Sequence, residues 1–304
     1  MLLFLEQFLN GLQFGVFLFL LAAGLTLIFG ILGVINLAHG SLYMAGAYAA
    51  ALTARLTGSF WLGLAAAPIA AGLVGLAMEI LIIRRLYTRD HLDQVLATFG
   101  LILFFNELTA LIWGRQPLIL NVPEALNATV EIIPGAPYPL YRLLIIAAGS
   151  LVAVLLYLLI QRTRAGMLIR AGSTDPETLG AMGTNVRLLF SALFALGAML
   201  AGFAGAMAGP LLSVEIGMGE NVLILTFVVI VIGGIGSVRG AFVGAILVGL
   251  ADTLSRAFLP GLLKLVLPAA EAAGIAAGLS SMAIYILMAA VLLLRPRGLF
   301  PARG

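Results

Sequence analysis

The first thirty residues, MLLFLEQFLNGLQFGVFLFLLAAGLTLIFG, form an almost uninterrupted apolar tract, and no Lys or Arg precedes Arg55. The tract is too long for the apolar core of a secretory signal, which runs roughly 7–15 residues, and no basic stretch stands ahead of it. It reads as a retained membrane-spanning helix. Similar runs recur along the chain. Hydrophobic residues make up 62% of it and charged residues 10%, against roughly 45–50% and 25% in soluble domains. No soluble fold of 304 residues hides that much apolar surface. The expected fold class is all-α: a polytopic transmembrane helix bundle, one domain over residues 1–304.

A spanning helix needs about 20 apolar residues. Candidates lie near 12–33, 41–56, 60–83, 94–112, 141–160, 188–209, 222–237, 240–258 and 278–294. The pieces at 41–56 and 222–237 are short, so eight or nine spans are expected. Arg84, Arg85 and Arg89 form one basic cluster; Arg162, Arg164, Arg170 and Arg187 a second; Arg295, Arg297 and Arg303 a third. Short cytoplasmic loops collect Lys and Arg. Even numbers of spans separate the clusters, so all three fit one side, which puts the N-terminus outside and the C-terminus inside. The loop at 113–140, with its Pro, Asn and acidic residues, then lies outside.

Several function classes drop out. Without cysteine there are no disulfides, thiolate nucleophiles or Cys-held metals. The net charge of +3 sits in clusters between apolar spans, leaving no soluble basic face for a nucleic acid. HExxH, G-x-S-x-G and P-loop signatures are absent, as are an Arg-rich voltage sensor and a TVGYG-like filter. No metal or cofactor is expected on this chain, and any ATP it uses must be bound by another subunit.

Polar residues stand out against this background. Asn36, His39, Ser41 and Tyr43 surround Gly40 within GILGVINLAHGSLYMAGAYAA, residues 30–50. A glycine-interrupted helix frees backbone groups that lipid cannot satisfy, so such a break belongs where protein or a water-filled cavity meets it. If helical, Asn36 with His39 and His39 with Tyr43 share a face, expected to line or close a pathway or else to cap a broken helix. A shift of about 200 positions aligns this stretch with GGIGSVRGAFVGAILVG, residues 233–249: Gly33 with Gly233, Ile35 with Ile235, Gly40 with Gly240, Ala45 with Ala245. His39 then faces Arg239, beside Gly236 and Ser237. A weak internal repeat with Gly-broken helices is a transporter pattern; whether the copies are inverted stays open. Gly197, Ala201, Gly205 and Gly209, and likewise Gly236, Gly240 and Gly244, recur every four residues as close-packing ridges. Of the ionisable groups near spans, Glu79 can reach Arg84, Asp252 can pair with Arg256, and Glu107 reads as a partnered interface carboxylate or a proton relay.

The loop at 162–187, RTRAGMLIRAGSTDPETLGAMGTNVR, holds a helix start. Thr174 as N-cap with Glu177 three residues on fits a capping box, with Asp175 and Pro176 in the first turn. Leu179 and Met182 give a small apolar edge past Gly180, and Gly183 ends the helix. Such a knob can dock into a partner and transmit motion.

Four runs taken together, VINLAHGSLYMAGAY (34–48), RTRAGMLIRAG (162–172), GGIGSVRGAFVGA (233–245) and RPRGLF (295–300), resemble the branched-chain amino acid ABC transporter permeases, more specifically the first of the two permease types. The resemblance covers essentially the whole chain in order, with one departure at Thr184, where the family often has an apolar residue. It implies a bacterial inner-membrane permease subunit beside a second homologous permease, two cytoplasmic ATPase subunits carrying the ATP, and a periplasmic substrate-binding protein. It also implies that residues from about 173 to 183 include the helix that docks on an ATPase. Related members are associated with urea, short amides or aromatic acids, so the resemblance does not fix the cargo. On this reading Asn36, His39, Gly40, Ser41, Tyr43, Gly236, Ser237, Arg239 and Gly240 lie at the translocation gate. Thr174, Asp175, Pro176, Glu177, Leu179, Gly180, Met182 and Gly183 couple to the ATPase. The alternative is an ion- or proton-coupled secondary transporter acting alone, which needs an intramembrane carboxylate such as Glu107 or Asp252. An intramembrane enzyme would need a catalytic pair, and none is evident.

Overall fold

The structure is a computed structural model that describes residues 1–133 and 135–300. It is a polytopic helical bundle, with a helix at each position where the sequence predicts a span. In chain order these are α1 (Leu2–Leu32), α2 (His39–Thr57), α3 (Phe60–Leu81), a 3-10 turn (Ile83–Leu86), α4 (His91–Trp113), α5 (Leu140–Arg162), α6 (Arg164–Thr174), α7 (Pro176–Ala181), α8 (Val186–Ala208), α9 (Met218–Gly233), α10 (Val238–Leu263) and α11 (Ala269–Leu294). Strands β1 (Thr129–Ile133) and β2 (Ala136–Pro139) pair antiparallel between α4 and α5. Seven of the helices are long and apolar enough to cross a membrane. The other two are those flagged as short: α9 has 16 residues, and α2 places His39, Ser41, Tyr43 and Arg55 within 19.

Helix α1 is the axis. It is apolar on every side, as a helix surrounded by protein must be, and 83% of its most apolar stretch is buried. Its long side chains fill the core, while its glycines let neighbours come close. A Cβ on Gly15 would lie 2.8 Å from the Ala245 carbonyl oxygen on α10, and one on Gly24 would lie 2.5 Å from that of Gly197 on α8. Gly46 of α2 meets Gly202 of α8 in the same manner. The predicted glycine ridges are therefore packing surfaces, joining backbone to backbone where a side chain would hold helices apart.

The basic clusters share one end of the bundle. Arg84 donates to the hydroxyl of Ser191, on the first turns of α8 and one turn after Arg187. The end of α1 reaches the same place, because Ile35 is bonded to Gln94, which also donates to the Leu86 and Arg89 carbonyls. Gly30 abuts Gly236, and the Arg295–Phe300 segment folds onto the end of α9 through Leu299 N–H to Ile232 O and Phe300 N–H to Gly233 O, both 2.9 Å. Arg303 lies outside the described residues. At the opposite end Tyr138 and Arg142 both bond Asn10, and Leu118 pairs with Val214.

Both glycine motifs therefore enter from the basic end and run the same way: α1 and α9 descend to it, α2 and α10 return. The breaks fall elsewhere than expected. Gly40 and Gly240 sit inside the first turns of α2 and α10; the chain reverses instead at Gly33 (φ 67°) and at Gly234 and Gly236 (φ 103° and 80°), left-handed conformations that suit residues without a Cβ.

Gly24→Ala is expected to lower stability by about 1–3 kcal/mol, the usual cost of overpacking. Gly274→Ala on α11, where a Cβ meets nothing within 4 Å, should instead gain up to about 1 kcal/mol of helix propensity. Thermal unfolding of the two variants in detergent checks the contrast; equal melting temperatures would refute it.

Candidate functional site

Beyond Gly33 the chain does not continue along the bundle surface. Residues 34–38 turn back into it without helical bonding, and their backbone is met by two side chains of α4. Ile35 N–H donates to Gln94 Oε1 at 3.1 Å, and Leu37 N–H to Thr98 Oγ1 at 3.2 Å. Residues two apart in extended chain point the same way, and residues four apart share a helix face, so positions 35 and 37 match positions 94 and 98. Gln94 and Thr98 are buried on a helix whose surface is mostly exposed. The sequence reading passed over both. Their signal was a Gln and a Thr four residues apart, on one face at the start of an apolar span.

The segment runs deep. His39 Nε2 lies 3.3 Å from the Leu21 carbonyl oxygen, about 16 Å along the α1 axis from Leu32 at 1.5 Å per residue. A carbonyl only accepts, so this contact puts a proton on Nε2. His39 Nδ1, both amide atoms of Asn36 and the Tyr43 hydroxyl are buried without any partner. Each such atom costs on the order of 1–3 kcal/mol. The Tyr43 ring stands edge-on to Phe17, 6.1 Å between centroids. Asn36 precedes α2 rather than sharing its helical face with His39, because α2 starts at His39. Ser41 is buried on the first turn, and Gly40 permits contact with Gly219, whose carbonyl oxygen an added Cβ would approach to 2.6 Å.

The second motif is built differently. Ser237 caps α10, its hydroxyl accepting from Gly240 N–H at 3.0 Å. Gly236 touches Gly30, and Gly240 packs on Gly233. Arg239, the counterpart of His39 in the alignment, is exposed and lies over the Tyr157 ring at 5.9 Å. The two basic residues thus occupy unlike surroundings, one in the core and one at the basic end.

The 162–187 stretch forms two helices, α6 and α7, where one was expected. The N-cap of α7 is Asp175, not Thr174, which ends α6 and donates to the Arg170 carbonyl at 3.2 Å. Extended backbone at Asp175 (φ −149°) brings its carboxylate over the free amides of Glu177 and Thr178, at 3.1 and 3.0 Å, and a carboxylate is the stronger acceptor there. Hydrogen bonds from Thr178, side chain first and then backbone, hold the Asp175 carboxyl below the usual carboxylate range, with the Glu177 amide adding to them. Pro176 takes the first helical position, and Gly183 (φ 87°) follows the last turn. The expected apolar edge is split: Leu179 is buried against Gly172, while Met182 is 79% exposed. Glu177 and Gly180 are exposed as well.

The three carboxylates singled out from the sequence are each paired. Glu79 bonds Arg84, and Asp252 bonds Arg256, each at 2.9 Å, as expected. Glu107 pairs with Arg115 at 2.9 Å in an exposed position, the interface reading rather than the relay. No cluster of metal-binding side chains occurs among the described residues.

Comparison with known proteins places residues 7–292 within the model of the branched-chain amino acid transport system permease component. The chain is 30% identical to the high-affinity branched-chain amino acid transport system permease protein LivH of Salmonella typhimurium over 272 residues, covering 84% of this chain and 87% of that one. It is 29% identical to LivH of Escherichia coli over 270 residues, with the same coverage. Against the permease protein BraD of Pseudomonas aeruginosa it is 30% identical over 263 residues, 82% of this chain and 85% of that one. No solved structure matches it.

Two outcomes follow from this geometry. Thr98→Val strands the Leu37 amide and should cost about 1–3 kcal/mol, whereas Thr98→Ser should melt near the native temperature. Because the folded Asp175 carboxyl titrates below its unfolded value, its cap holds at neutral pH and is lost on acidification below about pH 4. Amide-exchange protection at Glu177 and Thr178 should fall there in the native protein and stay level in Asp175→Asn. Identical pH profiles in the two proteins would refute the assignment.

Proposed function

This chain belongs to the family of branched-chain amino acid transport system permeases, and from that membership we propose that it is the membrane-spanning permease subunit of an ATP-driven importer. Its cargo would be a branched-chain or other hydrophobic amino acid, or a related small polar solute; the relatives named for branched-chain amino acids favour the first. It would work beside a second homologous permease, two ATPases and a substrate-binding protein, in the inner membrane of a bacterium. ATP would bind on the ATPases and not on this chain.

The α6–α7 pair carries the proposal. It stands at the basic end, whose arginines favour a cytoplasmic placement, the side on which ATP is available. Each of its helices is closed by its own cap. Its outer surface presents Glu177, Gly180 and the bare Met182 side chain, while Leu179 fastens it to its own chain. With that end inside, the N-terminus and the β1–β2 hairpin face the periplasm, where a binding protein would deliver solute. Movement of α7 would then switch the pathway between faces by alternating access. The re-entrant Asn36–Tyr43 stretch would act as the gate, and the Gly236–Gly240 turn as its counterpart. The unpaired atoms of Asn36, His39 and Tyr43 support that role, because they can hydrogen-bond a zwitterionic or amide-bearing solute in the open state. A solitary secondary transporter is disfavoured: Glu79, Glu107 and Asp252 are each committed to an arginine, leaving these carboxylates no free acid for ion coupling.

A tagged chain, extracted gently from its native membrane, should bring two ATPases and a second permease with it. Gly180→Leu separates coupling from folding, since a Cβ at Gly180 meets nothing closer than 3.8 Å in this chain. The variant should insert normally yet lose about tenfold or more in ATP-driven uptake, as when a docking contact worth about 1.4 kcal/mol or more is lost. Full uptake in Gly180→Leu, or transport by the chain alone without ATP, would overturn the proposal.

A further inference from the structure

A single chain of contacts leads from the α6–α7 pair to the re-entrant segment. At its start, Leu179 of α7 and Leu189 and Phe190 of α8 crowd the bare Gly172 of α6; a Cβ there would meet them at 3.3, 3.4 and 3.7 Å. Phe190 stands edge-on to Tyr87, 5.8 Å between centroids. The Tyr87 hydroxyl donates to Glu79 Oε1 at 2.9 Å, and Ser191, next to Phe190, donates to Glu79 Oε2 at 2.7 Å. Arg84 closes the cluster through Nε to Oε1 and Nη2 to Oε2, at 3.1 and 2.9 Å. The short turn that carries Arg84 and Tyr87 then offers its Leu86 and Arg89 carbonyls to Gln94 Nε2, at 3.2 and 3.1 Å. The other half of that amide holds the Ile35 N–H.

We infer that this path is a mechanical relay, with Glu79 and Gln94 as positioning residues through which a shift of α7 and α8 displaces the gate segment. The inference rests on the proposed coupling role of α7. The donors gathered on Glu79 meet the need of a fully buried carboxylate. What they join is informative: the end of α3, the turn, and the first part of α8 move together or not at all. Helix α4 has α2 and that same turn as its main packing partners. A displaced turn therefore carries α4 with it, and α4 holds residues 35 and 37. Away from α4 the gate segment is held by a single side-chain bond, His39 Nε2 to the Leu21 carbonyl, while Asn36 and His39 Nδ1 are unpaired.

The test uses the complete transporter in proteoliposomes and reads solute carried per ATP hydrolysed. Tyr87→Phe, Ser191→Ala and Gln94→Met each remove polar bonds at similar side-chain volume, and subunit composition and melting temperature report any structural loss. Each variant should lower the ratio by about fivefold or more, the usual scale of coupling between sites, with the complex still assembled. The Ser191→Ala/Gln94→Met pair should fall no further than the worse single variant, because members of one path are not additive. Native ratios, strictly multiplicative effects, or a drop explained by loss of assembled complex would each overturn the relay. Failure of the underlying reading looks different: native protein carrying solute without ATP removes the coupling itself. Uncoupling by Gly180→Leu beside a native ratio in Gln94→Met keeps the coupling helix and removes the relay alone.

Discussion

A peptide group buried away from water must find a partner inside the protein, and the most demanding place for that rule here is the stretch from Val34 to Ala38. The central helix ends, the chain turns at Gly33, and a non-helical segment passes back into the core toward His39 with no intrahelical bonds of its own. Gln94 and Thr98 meet that need from α4. Their position fixes α4 against the segment. Gln94 also binds the turn after α3, so the same requirement ties the re-entrant segment to the basic end. Without those two side chains the segment would have to become helical or leave the interior, and the polar face it carries would leave with it.

Close approach of helices makes room for this arrangement. A chain of Leu and Phe all along α1 would stand its neighbours off by a side-chain width. Glycines at positions 15, 24 and 30 bring α10, α8 and the second motif onto the α1 backbone, leaving no gap for lipid. The outer helices α4, α5 and α11 are instead mostly exposed and apolar, as surfaces facing lipid must be. Tight centre and open periphery come from the same composition, differing in where the glycines fall.

Much of this could be read from the chain alone. Apolar runs locate the helices, because length and lack of charge decide insertion almost regardless of detail. Arginine spacing gave the common end for the described clusters, and i,i+4 or near spacing gave the Asp252–Arg256 and Glu79–Arg84 pairs. What stayed hidden depends on long-range contact. The Ile35–Gln94 bond spans 59 residues, and nothing local marks Gln94 as the partner of a broken segment. Local chemistry also misled where two residues competed for one task. Thr174 and Asp175 are both good caps, and the helix before them decides the matter by extending through Thr174. Gly40 and Gly240 looked like breaks because glycine weakens helices. The actual breaks use glycines a few residues earlier, and these two give close backbone approach, as the ridge through Gly240 anticipates.

The two glycine motifs also show that similar sequence need not mean similar duty. Both turn at the basic end, both start a helix with a small residue against a neighbouring backbone, and both set a basic residue before that glycine. Yet the second is clamped: the Leu299 and Phe300 amides bond carbonyls at the end of α9, Ser237 caps α10, and Arg239 points away from the core. The first ends with buried polar atoms on Asn36, His39 and Tyr43 that bond nothing. Buried polar groups ordinarily find a partner within the protein, so these atoms set the first motif apart from the second. Between two motifs of like spacing, the first therefore keeps buried polar atoms unmatched within the chain, and the second is fastened on both sides of its turn.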